Sequence, residues 1–118
     1  MRIRYYRDGR GAPCIEADPA WLGFADFIRT EVGQDGNFCS GVLESASLAA
    51  RGVEWTEIGD WNVHVISAAD GRVRIESIVG SSEPCEVSIE EFRWALSDWR
   101  DFVSGHAESG WRVFEPES

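Results

Sequence analysis

This sequence predicts an α+β domain: an antiparallel sheet with an N-terminal hairpin and about three helices packed on one face. Three observations carry that expectation. Residues 1–17 alternate apolar and polar side chains around a Gly-containing turn. Residues 19–32 and 89–103 repeat their apolar residues at helical spacing between cap and stop signals. Between residues 53 and 79 the period changes to two, with turn residues at Gly59-Asp60 and Asp70-Gly71.

Ile3 and Tyr5 alternate with Arg2 and Arg4, as in a half-buried strand. Asp8-Gly9-Arg10-Gly11 supplies residues that accept positive φ, and Ala12 to Ala17 reads as the return strand of a hairpin. Asp18-Pro19 is an N-cap followed by proline at the first helical position. Trp21, Leu22, Ala25, Ile28 and Val32 then mark a helical stripe, and Gly33 is its stop. Residues 34–37 read as a loop. Ser40 is positioned to cap a second helix, with Leu43, Ala46 and Ala50 on one face and Gly52 at its end.

Val53 to Ile58, Trp61 to Ser67 and Arg72 to Val79 follow as strands. In the second, Trp61, Val63 and Val65 are expected on the apolar face, with Asn62, His64 and Ile66 opposite. In the third, Val73 and Ile75 alternate with Arg74 and Glu76, so the sheet is expected to be covered on one side. Cys85 to Val87 reads as a short edge strand. Ser88-Ile89-Glu90-Glu91 is a capping box. Beyond it Ile89, Phe92, Ala95, Leu96, Trp99 and Val103 share one helical face, and Gly105 ends the helix. Trp111 and Phe114 are spaced for a short packing segment. No internal repeat and no low-complexity stretch occurs.

The 118 residues are expected to form a single domain, 1–118, with a tail from 104 to 118. At 43% hydrophobic and 27% charged the composition is that of a globular domain, not of a disordered chain. No apolar run approaches the ~18 residues of a membrane span, and no apolar stretch follows the basic start, so a cytoplasmic location is expected. Cys14, Cys39 and Cys85 are an odd count without paired spacing and read as free thiols packed in a core.

Charge narrows the partners. Twenty-one carboxylates stand against eleven bases, all arginine, for a net charge of −10. A field of that sign repels phosphate backbones and anionic lipid, so neither nucleic acid nor membrane is the expected direct partner; a basic protein is. No nucleophile motif, phosphate loop, dinucleotide fingerprint or zinc-protease motif is present. His64 and His106 lie 42 residues apart and lack ligand spacing. No catalytic residue, metal or cofactor is therefore nominated.

One feature points to binding. In the last helix Trp94 falls about 160° from the centre of the apolar face. Glu90, Ser97, Asp98 and Asp101 share that far side. A large aromatic with carboxylates one turn to either side is the composition of a protein-binding hot spot, the ring filling a pocket and the acids facing a basic rim. The alternative surroundings for Trp94 are a cover of Trp111 and Phe114, or the N-terminal hairpin. Glu57 and Asp60, with Glu54 around the Gly59 turn, extend the candidate anionic surface.

The layout resembles the YacL-like family of small bacterial proteins and several immunity proteins of contact-dependent growth inhibition. The matching residues are Tyr5-Tyr6-Arg7-Asp8-Gly9, Glu31-Val32, Gly52-Val53-Glu54-Trp55 running into Gly59, Asp70-Gly71, Ser88-Ile89-Glu90-Glu91-Phe92 and Trp99-Arg100-Asp101-Phe102-Val103. They span about residues 3–103. The resemblance departs in the loop before the last helix, which here lacks a longer acidic insert. It implies a non-enzymatic toxin inhibitor: an immunity protein that binds a cognate bacterial toxin domain, expected to be a basic nuclease, and blocks its active site. No cofactor is implied. The other expectation is a housekeeping adaptor or regulator of the same fold with no toxin partner.

Overall fold

The computed structural model describes residues 2–60, 64–80 and 84–113, with the Asp60 side chain outside the description. The N-terminal hairpin pairs β1 (Arg2–Arg7) with β2 (Pro13–Ala17) in the register Ile3↔Ala17 and Tyr5↔Ile15. Asp8 sets its turn: Oδ1 accepts from the backbone N–H groups of Arg10 at 2.8 Å and Ala12 at 3.0 Å. A 3-10 turn at Pro19–Trp21 leads into α1 (Leu22–Phe27), and α1 continues into a π-helical turn at Ile28–Val32. Gly33 ends that turn at φ +55°, ψ −123°, backbone angles that favour glycine.

The next helix, α2 (Gly36–Ala49), begins before Ser40, because Asp35 is the cap. Its carboxylate accepts from the N–H groups of Asn37 and Phe38, each at 3.0 Å. The four strands that follow are β3 (Thr56–Asp60), β4 (His64–Ala69), β5 (Arg72–Ser77) and β6 (Cys85–Ser88). They form an antiparallel sheet in the order β3-β4-β5-β6. Then α3 (Ile89–Val103) opens on the expected capping box. Glu91 N–H donates to Ser88 Oγ at 3.1 Å, and Ser88 N–H to Glu91 Oε1 at 3.1 Å. The last strand, β7 (Gly110–Val113), returns to pair with β1, completing a three-stranded sheet in the order β2-β1-β7.

The fold is thus α+β with all pairings antiparallel, its strands divided between two sheets. The core lies between them. Ile66, Ala68, Val73, Ile75, Cys85 and Val87 face inward from the larger sheet, and Ile3, Tyr5 and Ile15 from the smaller. Both sheets close on α3, whose Phe92, Ala95, Leu96, Trp99 and Phe102 are all buried. The outer face of the larger sheet carries charge: Arg72 and Arg74 both reach Glu86, at 2.7 and 3.4 Å. Trp55, two-fifths exposed, lies under the Arg74 guanidinium at 4.0 Å.

Leu22 points outward at 48% exposure, whereas Trp21, Ala25, Ile28 and Val32 of the same stripe are buried, because Leu22 lies about 100° round from Trp21 at the first position of α1. Strand β3 begins at Thr56, so Glu54 and Trp55 precede it. In β4 the inward face is His64, Ile66 and Ala68, while Val65 is half-exposed. His64 is therefore in the core and not on a wet face; Trp61 and Val63 lie outside the described residues. Of the three free thiols, Cys39 and Cys85 are buried and Cys14 is half-buried. Burial pushes the Cys39 thiol up to about 11 and raises that of Cys85, the direction expected of inert packing groups.

Candidate functional site

The outer face of α3 follows from how its inner face is held. Tyr5 Oη donates to the carbonyl of Ala95 at 3.0 Å, and Trp99 Nε1 donates to the carbonyl of Gly33 at 2.8 Å. Those two bonds and the buried aromatic side fix the helix in rotation, so its remaining side chains project on the opposite side. Glu90, Trp94, Ser97, Asp98 and Asp101 line one shallow groove of about 450 Å³, together with Arg93. The five residues that helical spacing groups together are thus side by side. Trp94 is half-buried, with part of its indole packed on the core and part forming the groove wall.

The acids of the groove are not equivalent. Glu90 is exposed at the N-terminal turn of α3, where the helix dipole favours a negative charge. Asp98 faces β7: its Oδ2 is 3.1 Å from Arg112 Nε. The two charges meet without an aligned hydrogen bond to that oxygen among the described residues. Burial raises the Asp98 carboxyl above the usual range, Arg112 opposes that shift, and Asp101 adds to it. Arg112 thus spends part of its charge on Asp98, which leaves Glu90 and Asp101 as the more available acids.

Glu57 does not line this groove, and the Asp60 side chain lies outside the described residues. Both belong to β3, the edge of the larger sheet farthest from β6 and the start of α3. Glu57 is exposed opposite Ser67. The β3–β4 register shifts between Glu57 and Gly59, and such a bulge also discourages edge-to-edge pairing. Among the described residues Glu57 is therefore an acid apart from the groove, on the β3 edge.

A second cluster escapes sequence reasoning. His64 is the one buried polar or charged residue of the described core, at 0% exposure. Its Nε2 is 3.1 Å from Asp26 Oδ2, and its Nδ1 is 3.4 Å from Glu31 Oε1 and 3.3 Å from Thr30 Oγ1. Phe27 meets the ring edge-on at a centroid distance of 5.9 Å. Asp26 and Glu31 are five residues apart, roughly 140° around an α-helix but nearly in line where the helix widens to a π-turn. The Gly33 N–H bonding to the Ile28 carbonyl at 2.9 Å shows that widening. The signal available in sequence was the pair of acids at a spacing no α-helix brings together.

The two carboxylates approach opposite nitrogens of the imidazole, so they cannot share one metal ion with it; among the described residues no group of three His, Cys, Asp or Glu side chains has metal-holding geometry. With the ring enclosed, the cluster fastens the α1 end to β4. No helix of the described residues is long and apolar enough to cross a membrane.

Comparison of the chain with known protein families, with curated proteins and with solved structures found no match in any of the three.

Proposed function

We propose that this chain is an immunity protein: it binds a cognate bacterial toxin domain, a basic nuclease, and blocks the active site with the outer face of α3. The observation that supports this reading most is the groove that holds Trp94 among Glu90, Ser97, Asp98 and Asp101 on a chain of net charge −10. A nuclease active site is basic because it must hold phosphates, and an acidic surface with an aromatic anchor is complementary to it. The indole supplies the desolvated contact, and Glu90 and Asp101 supply pairing at its rim. Glu57 and Asp60, both in β3, add to the long-range attraction and not to the contact. Inhibition by occlusion asks for no nucleophile, metal or cofactor on this chain.

The test is affinity capture on the immobilised protein, with parallel capture on Trp94→Ala. Retention of one basic polypeptide at low salt, its loss on Trp94→Ala, and suppression of that polypeptide's nuclease activity by the parent protein are the expected results. Retention of a housekeeping complex moves the chain to the adaptor reading. A nuclease that stays active in the complex contradicts occlusion.

A further inference from the structure

The buried imidazole of His64 has an acceptor at each of its nitrogens. Nε2 faces Asp26 Oδ2 of α1 at 3.1 Å, and Nδ1 faces Glu31 Oε1 of the π-turn at 3.4 Å. An ionised carboxylate only accepts, so each nitrogen needs its own hydrogen to bond it. Thr30 does not supply one. Its Oγ1, 3.3 Å from Nδ1, donates its single hydrogen to the Asp26 carbonyl at 2.8 Å and is left as an acceptor toward the ring.

A neutral imidazole has one N–H and one bare nitrogen. In either tautomer it would set a lone pair against a carboxylate. The ring is 0% exposed and the Glu31 side chain 4%, so bulk water does not take up the unmade bond. The imidazolium, with two N–H donors, satisfies both acids at once. Asp26 and Glu31 are the titratable groups that face the ring among the described residues. Phe27, packed edge-on, and Ser77, opposite His64 on β5, bring no charge.

We propose that His64 is an imidazolium in the folded protein at neutral pH, and that its second proton latches the junction of α1 and the π-turn onto β4; loss of that proton to solvent releases the junction. The latch reaches α3, because the π-turn ends at Gly33, whose carbonyl takes the Trp99 Nε1–H at 2.8 Å. The stabilisation is complete below about pH 6.5, where an unfolded histidine is protonated too, and is lost as pH rises through the point at which the folded ring lets go. This buried device does not depend on the immunity reading.

The test is ring-nitrogen NMR of the labelled full chain, titrated upward from about pH 6, with the urea-unfolded chain as reference. At about pH 7.5 an ordinary histidine is roughly nine-tenths neutral. Folded His64 is expected to show both ring nitrogens protonated there. Its release at higher pH should move the amides of residues 30–33 and the Trp99 indole N–H in the same transition. Glu31→Gln keeps the shape and an acceptor but removes the charge, so the proton should be held about tenfold more weakly and leave about one pH unit lower. An unprotonated ring nitrogen on folded His64 at about pH 7.5, or an unchanged release in Glu31→Gln, overturns the imidazolium. Release that leaves the π-turn amides and Trp99 in place overturns the latch. Where Glu31→Gln does not fold, the urea midpoint of the parent protein decides: it should fall between about pH 6 and about pH 8, below the range of ordinary thiols. A flat or rising midpoint overturns the proposal.

Discussion

Asp98 of α3 and Arg112 of β7 meet at 3.1 Å, and this contact ties the last strand to the groove around Trp94. The carboxylate is desolvated more than the guanidinium compensates, since its protonation is pushed upward with burial as the first cause. A carboxyl raised above its unfolded value favours the folded state below that unfolded value, and the advantage fades as pH rises through the raised one. Wild type should therefore gain stability relative to Asp98→Asn as pH falls from about 7 to about 3. Melting temperatures of the two proteins across that range check it; a difference that moves the other way would show the ion pair outweighing desolvation.

Replacing His64 with leucine leaves Glu31, with 4% of its side chain exposed, and Asp26, with 19%, facing an apolar group. Removing one partner of a buried charged cluster costs roughly 3 kcal/mol or more. Urea unfolding should report that loss as a lower midpoint with unchanged slope. His64→Leu combined with Asp26→Asn and Glu31→Gln should recover part of it, because no carboxylate then faces the leucine.

Tyr5→Phe removes the bond to the Ala95 carbonyl and keeps the ring, which stacks on Phe102 at 5.5 Å and tilts against Trp99 at 5.7 Å. The expected cost is about 1 kcal/mol, or roughly 4 °C in melting temperature for a domain of this size. A loss several times larger would mean that the hydroxyl also sets the rotation of α3, and binding at the Trp94 groove should then weaken in the same variant.

Reversal of Glu90 to Arg, at an exposed rim position, should slow association with a basic partner and flatten its salt dependence while leaving dissociation nearly unchanged. Stopped-flow association at two ionic strengths measures both. The same reversal at Glu57, on the β3 edge, should have the smaller effect, since a field contribution there is screened within roughly 8–10 Å at physiological salt.

Helix α3 was legible from Ser88 to its outer face, because capping box, apolar stripe and polar side all follow from local spacing. The N-terminal hairpin was equally local. The start of α2 is ambiguous in sequence because two capping residues, Asp35 and Ser40, compete within one turn and a half, and the backbone N–H groups of Asn37 and Phe38 decide for the first. The alternation in β4 leaves either face open, since Val63 and Val65 lie on one side and Ile66 on the other; His64 is on the inward side, where Asp26 of α1 and Glu31 of the π-turn meet its two ring nitrogens. The pairing of β7 with β1 joins residues over a hundred positions apart, and no local pattern marks such a partner. The groove inherits this division: its α3 residues were local, whereas the Arg112 that restrains Asp98 arrives through the long-range pairing.

If the Trp94 face of α3 carries the binding energy toward a basic protein partner, the equilibrium dissociation constant of Trp94→Ala for the captured partner must rise. A loss of about 2 kcal/mol, roughly thirtyfold in affinity, with the fold intact by circular dichroism is the result expected of a truncated hot spot. An affinity equal to that of the parent protein, in a variant that melts at the same temperature, would contradict it.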